Sequence, residues 1–310
     1  MRFRQLGRSG LTVSEVGLGC NNFGTRCNMD SSRDVIFEAL DTGINLFDTA
    51  DIYGNRGVSE TFMGEILKGR RDEVVLATKF GMDMGTGDVA LGSRRYIKRA
   101  VEASLRRLQT DYIDLYQLHR PDPHTPIDET IAALNDLVRD GKVLYIGSSN
   151  LSGWQIAQAD LLAKELGGSR FISAQNLYSL LEREVEREVL PACREFYVGF
   201  LPFFPLASGL LTGKFKRGEQ LPAGTRLSSR PEVVDQANFD LIEALERFAE
   251  QRDMTLLDLA FVFLLSTAEV SSVIAGATSK AQIKSNVATQ KHTLSERDTV
   301  ELRELLTQYE

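Results

Sequence analysis

Four ionisable side chains of four different kinds stand at the ends of neighbouring apolar runs. Asp48 and Tyr53 follow "INLF", Lys79 sits in "LATKF", and His119 closes "LYQLH". Singly, each has an ordinary use: an aspartate before Thr-Ala caps a turn, a tyrosine packs, a lysine ends a run at a solvated tip, a histidine bonds a loop. Together they make a stronger case, because buried Lys and Asp are rare unless paired. The set suits proton donation by a phenol. Free tyrosine titrates near pH 10, and a nearby ammonium favours the phenolate. Bringing the phenol near neutrality takes roughly 3 to 4 kcal/mol, within reach of one close cation in a cavity. Asp48 is expected to hold Lys79 charged and oriented. His119 is expected to donate a hydrogen bond to a carbonyl oxygen. A carbonyl that gains a hydride needs such a donor. A strand-end lysine also permits Schiff-base aldolase chemistry with Lys79 as nucleophile.

Eight short apolar runs are read as strands: 15–19, 44–49, 74–80, 112–119, 143–149, 171–176, 199–206 and 271–277. Continuous apolar runs suit parallel strands buried on both faces. Amphipathic stretches lie between them. In "SRRYIKRAVEASLRRLQ", Ile97, Val101, Leu105 and Leu108 form the apolar face. In "HTPIDETIAALNDLVRDGK", Thr125 is expected to cap, Pro126 to fit the first turn and Gly141 to mark the stop. Eight strand–helix units over residues 1–310 predict one (β/α)8 barrel domain of the α/β class. A doubly wound open sheet is the alternative, weakened by the missing G-x-G-x-x-G after the first strand. Residues 2–14 read as a β-hairpin that plugs the barrel's bottom, and residues 207–235 as a long loop after the seventh strand. Active sites of such barrels lie at the C-terminal strand ends, where the four side chains fall.

Composition narrows the partners. A net charge of −7 gives no sign of a nucleic-acid surface. No apolar run approaches the roughly 20 residues that span a bilayer, and the first residues show no signal-peptide core. Cys20, Cys27 and Cys193 are scattered and form no metal or redox motif, so reduced thiols and a cytoplasmic location are expected. With three histidines in the chain, a multi-histidine metal site is not expected. Oligomeric state is not readable. Trp154 is expected to pack.

"FDTADIYGNRGVSE", "ATKF" and "DYIDLYQLHRPDP" together resemble the signatures of the aldo-keto reductase superfamily. The resemblance continues through "GKVLYIGSSN", "AQNLYSLLER", "PLASGLLTGKF" and "AGATSKAQIKSN", in the family's order and over nearly the whole chain. It implies reduction of small aldehydes or ketones, with Asp48, Tyr53, Lys79 and His119 as catalytic tetrad and Tyr53 as general acid. It also implies an NADP(H) cofactor, with NAD(H) possible, lying extended across the barrel mouth. By resemblance, Ser149, Asn150 and Gln175 hold the nicotinamide carboxamide and Phe203 stacks on the ring. Pro205, Leu206, Gly209 and Leu211 follow the pyrophosphate. Gly276, Thr278, Ser279, Gln282 and Asn286 form the adenosine end. Lys214, Arg226 and Lys280 are the cations for a 2′-phosphate. Gly276 lets backbone approach phosphate, and a helix starting near Lys280 offers amide donors. The chain departs from the pattern at Gln282, where relatives often carry arginine, and at Phe204, where many carry a small hydroxyl residue. Some relatives associated with potassium channels are regulatory cofactor-binding subunits with little turnover. His119 disfavours that reading, since those relatives lack a histidine there.

Overall fold

A computed structural model describes residues 1–222, 225–229 and 231–309. Two short strands, β1 (Phe3–Gln5) and β2 (Thr12–Ser14), pair antiparallel, with Phe3 opposite Ser14. The alternating part then runs β3 (Val16–Gly19), α1 (Met29–Asp41), β4 (Leu46–Asp48), α2 (Tyr53–Ile66), β5 (Val75–Phe80), α3 (Arg94–Leu108), β6 (Ile113–Leu118) and α4 (Ile127–Arg139). It continues with β7 (Val143–Ser149), α5 (Gly153–Glu165), β8 (Phe171–Gln175), α6 (Val189–Phe196) and β9 (Gly199–Phe200). After a long connection come α7 (Pro231–Asp235), α8 (Phe239–Glu250), α9 (Leu256–Ser266), β10 (Val273–Gly276), α10 (Lys280–Ala288) and α11 (Glu296–Thr307).

The eight strands β3 to β10 form one parallel sheet in the order β10-β3-β4-β5-β6-β7-β8-β9. Chain order is kept around the sheet and the last strand lies beside the first, so it curls instead of reversing as a doubly wound sheet does. Its edges meet where Phe200 bridges Val270. There the Phe200 N–H donates to the Glu269 carbonyl at 2.7 Å, and Ser271 N–H to the Phe200 carbonyl at 2.9 Å. The expected (β/α)8 barrel is present. The run at 199–206 yields only two strand residues, because Pro202 and Pro205 have no N–H for a ladder. Leu201 and Phe203 still donate to Ala174 and Asn176.

Every residue of β5 and β6 is buried, as strands covered on both faces must be. Inside the barrel Leu46, Val75, Ala77, Leu115, Leu201 and Ile274 make a small core of their own, and Leu6 and Val13 of the hairpin complete it. The hairpin is therefore the expected plug. Its turn passes so close to the barrel that a Cβ on Gly7 would sit 2.5 Å from the Ile172 carbonyl oxygen, and Gly7 has φ +57°. A larger core lies between strands and helices, where α3 buries Ile97, Val101, Leu105 and Leu108.

Two local expectations fail. The Thr125 hydroxyl donates to Asp122 at 2.7 Å and does not cap α4, whose N-cap is Pro126. Trp154, in the first turn of α5, is 61% exposed instead of packed.

Candidate active site

The end of β4 carries Asp48 and the end of β5 carries Lys79, on adjacent strands where Asp48 is registered with Ala77. The Lys79 ammonium donates to both Asp48 oxygens at 2.7 Å and to the Thr49 carbonyl at 2.9 Å. Lys79 is 1% exposed. Burial alone would strip its proton, but Asp48 and the tyrosine oxygen outweigh burial and hold the ammonium above its ordinary range. Gln175 donates to the same Asp48 oxygen at 2.9 Å, and Gln117 approaches it at 3.4 Å. Asp48 is thus saturated with donors, as a buried carboxylate requires.

Tyr53 opens α2, and its ring lies over the Lys79 ammonium, 5.1 Å from centroid to nitrogen. His119, directly after β6, meets the Tyr53 ring edge-on with centroids 5.8 Å apart. The expected tetrad is therefore one contiguous cluster. One electrostatic expectation is overturned: the Tyr53 phenol lies above its ordinary range, not below it. Burial dominates, and the Lys79 charge opposes burial without overcoming it. The phenol keeps its proton. Burial, with the Lys79 and Arg120 charges, drives the His119 imidazole down to about 3, so the ring is neutral at physiological pH. Its Nδ1 is buried and has no hydrogen-bond partner. Cys20, beside the cluster, is fully buried and does not line the cavity; burial pushes its thiol well up, so it is not a thiolate.

These groups form the floor of a cavity of about 650 Å³ at the C-terminal mouth of the barrel. Asp48, Tyr53 and His119 line it beside Ser149, Asn150, Gln175 and Phe203. Pro205, Leu206, Gly209, Lys214 and Arg226 line its roof, and Gly276, Thr278, Gln282 and Asn286 its far end. Sixteen of the twenty expected residues line the cavity, Lys79 is buried against Asp48 without lining it, and three sit elsewhere. Leu211 is fully buried in the core. The Ser279 hydroxyl caps α10 by accepting from the Gln282 N–H. Lys280 pairs with Asp34 at 2.9 Å, outside the cavity lining. The basic group facing the cavity is therefore Lys214 and Arg226, joined by Arg26, which the sequence reading did not select.

Arg226 is positioned by several hands. It donates to the side-chain oxygens of Asn21 at 3.3 Å and Asn22 at 3.0 Å. Its guanidinium also lies 5.2 Å from the centroid of the Phe204 ring. The departure at Phe204 thus supplies a shelf for Arg226. Asn22 also forms a turn through its carbonyl, which accepts from the backbone N–H groups of Thr25, Arg26 and Cys27. Thr278 donates through its N–H to Gln282 at 2.7 Å, which ties the end of β10 to the first turn of α10.

The remaining carboxylate of the "DTADIY" stretch, Asp51, does not reach the cavity lining. It is 2% exposed, and neither oxygen meets a well-formed hydrogen-bond partner among the described residues. Burial, with the Glu60 charge, pushes it up to about 8. Glu60 itself is fully buried, accepting from Thr78 at 2.6 Å and pairing with Arg107 at 2.7 Å.

The sequence model of the Aldo/keto reductase family matches residues 15–307 of the chain. The chain belongs to the aldo/keto reductase family. Among its curated relatives is "Uncharacterized oxidoreductase YrpG" of Bacillus subtilis, 38% identical, with 93% of this chain and 90% of that protein aligned. The "L-glyceraldehyde 3-phosphate reductase" of Escherichia coli is 34% identical, covering 93% and 87% of the two chains. A "Probable voltage-gated potassium channel subunit beta" of Oryza sativa is 36% identical, covering 93% and 90%. The family therefore holds both reductases and channel-associated proteins at similar distances from this chain. No helix among the described residues is long and apolar enough to cross a membrane.

Proposed function

We propose that the protein is an NADPH-dependent reductase of small aldehydes or ketones, with Tyr53 as general acid. The observation that carries this reading is the Asp48–Lys79–Tyr53–His119 cluster on the floor of a cavity with Lys214 and Arg226 at its other side. The residues present fit a dinucleotide. Ser149, Asn150 and Gln175 offer polar groups beside an aromatic, Phe203. Gly276 leaves open a place where a Cβ would already crowd the Asn22 amide at 3.1 Å. Lys214 and Arg226 supply cations for a 2′-phosphate, which is the reason to favour NADPH over NADH. When bound, the reduced nicotinamide supplies the hydride.

The chain's own residues account for the proton. Tyr53 keeps its proton until an oxyanion develops nearby. It then gives it up, and the phenolate left behind faces the Lys79 ammonium at once. Asp48 fixes that ammonium in place, so the stabilising charge needs no reorganisation during the step. Neutral His119 donates through one ring nitrogen to the substrate oxygen without competing for the proton. Lys79 is an unsuitable Schiff-base nucleophile, since such an amine must be unprotonated and Lys79 has three acceptors on its ammonium. The three cysteines are buried and unpaired, which suits a reducing, cytoplasmic setting.

Tyr53→Phe should abolish NADPH-dependent reduction of a test aldehyde while leaving cofactor affinity, read by calorimetry, within about threefold, because the ring's packing is kept and only the proton donor is lost. Normal turnover by that variant would remove Tyr53 from the acid role. NADPH binding tighter than NADH binding in the same calorimeter supports the cation assignment. Fluorescence of Trp154 is unsuited to this, since that residue lines a groove away from the cavity. The names of the channel-subunit relatives motivate a second reading, a regulatory cofactor-binding subunit. Tight cofactor binding with no turnover of any aldehyde tried would favour it.

A further inference from the structure

The stretch directly after Tyr53 leaves the right-handed helix. Gly54, Asn55, Arg56 and Gly57 have φ of 68°, 61°, 67° and 111°. Glycine tolerates this, but Asn55 and Arg56 do not rest there freely, and such conformations collect at sites where a side chain must be aimed. Residues 52–56, with Asn21 and Thr25, line a second hollow of about 580 Å³. It shares Asn21 and Tyr53 with the main cavity, so the proposed acid stands on the partition between the two.

The Arg56 guanidinium is laid against Gly85 of the 81–92 loop. A Cβ at Gly85 would lie 2.6 Å from the guanidinium Nη1, and Gly85 itself has φ +72°. The positive φ favours glycine at 85, and the absent side chain leaves room for the arginine that crosses it. Arg56 makes no ion pair within the described residues, whereas Lys280, Arg107 and Lys79 each do. An exposed arginine, with no ion pair among the described residues, on the rim of a hollow that adjoins the proposed acid is suited to receive an anion. It is separate from Lys214 and Arg226, which line only the main cavity.

We propose that Arg56 selects carbonyl substrates that carry a second, anionic group, a phosphate or a carboxylate, with the Asn55 amide as a neutral donor beside it. This rests on the reductase reading above. The anion sits in the hollow and the carbonyl reaches across the partition to Tyr53. Arg56 is a specificity residue and takes no part in the proton or hydride transfer.

The test compares kcat/KM with NADPH for two matched pairs: glyceraldehyde 3-phosphate against glyceraldehyde, and succinic semialdehyde against butanal. The wild-type protein is expected to prefer the charged member of at least one pair, and which pair it is tells phosphate from carboxylate. In Arg56→Gln that preference should fall about 10- to 100-fold, the usual worth of a hydrogen-bonded charge contact. Arg56→Lys should retain part of it, since charge persists while the fork is lost. The kcat for the neutral members serves as the control for folding. An unchanged charged-to-neutral ratio in Arg56→Gln, or no preference in the wild type while neutral aldehydes are reduced, overturns the Arg56 assignment alone. Absence of turnover on all four compounds overturns the reductase reading instead.

Discussion

The proton inventory of the site makes the residue scale measurable. His119 moves from an ordinary 6.5 to about 3 in the folded protein. The unfolded chain therefore takes up that proton first as pH falls, and stability contributed by neutral His119 is lost between about pH 6.5 and pH 3. His119→Gln should flatten that part of the stability-versus-pH curve, followed by urea unfolding. Asp51 has the opposite sign. It moves from 3.8 to about 8, so the folded state holds a proton that the unfolded state has already released. Stability is lost as pH rises from about 4 to about 8. Asp51→Asn removes that penalty. It should raise the melting temperature at pH 8 and change it little at pH 4, worth on the order of a few kcal/mol at the upper end. A variant less stable at pH 8 would show that the carboxylate, not its neutral form, is what the fold requires. The Lys79–Asp48 pair is less forgiving. Asp48→Asn leaves an ammonium in a buried site without its counter-ion, and a loss of about 3 to 5 kcal/mol is expected in the same unfolding assay.

Among elements, α2 depends on its neighbours more than on its own sequence. It begins in a left-handed stretch and has no side-chain N-cap hydrogen bond. It is held instead by fully buried Glu60, which joins Thr78 of β5 to Arg107 of α3. The Arg107 side chain passes so near Gly57 that a Cβ there would meet its Cδ at 2.6 Å. Arg107→Met should therefore cost about 3 to 5 kcal/mol, because it strands the Glu60 charge, whereas Arg107→Met combined with Glu60→Gln should recover part of it. Both are read from urea midpoints. The same contrast explains what the sequence disclosed. The tetrad was legible because Asp48, Lys79 and His119 interrupt apolar runs, a pattern confined to a few residues. The stop of α4 was legible for the same reason: Gly141, with φ +72°, acts locally. Contacts between distant segments left no such trace. Nothing periodic announces that Asn21 and Asn22 grip Arg226, that Asp34 takes Lys280 out of the cavity, or that Gly85 seats Arg56. The confinement of Asp51 away from the cavity, near the Glu60 charge, is likewise something spacing does not encode.

At the scale of the whole molecule, the hairpin plug and the barrel wall share one small core, so removal of residues 1–14 should uncover Leu46, Val75, Leu115 and Ile274 together. A broadened thermal transition with dye-accessible apolar surface is the expected outcome, since that layer has no other cover. The barrel is also unevenly closed. β5, β6 and β7 pair along much of their lengths. The seam between β9 and β10 is one bridge at Phe200 and Val270 with a few hydrogen bonds around it, interrupted by Pro202. A ring with one thin joint has a preferred place to open and a time at which it does so. In deuterated solvent the amides of Phe200 and Ser271 should exchange well before those of Leu115 and Tyr116, and the long connection to α7 begins just past that joint. Part of the cavity roof follows directly in the chain, so release of the proposed dinucleotide is expected to keep time with the opening of the seam.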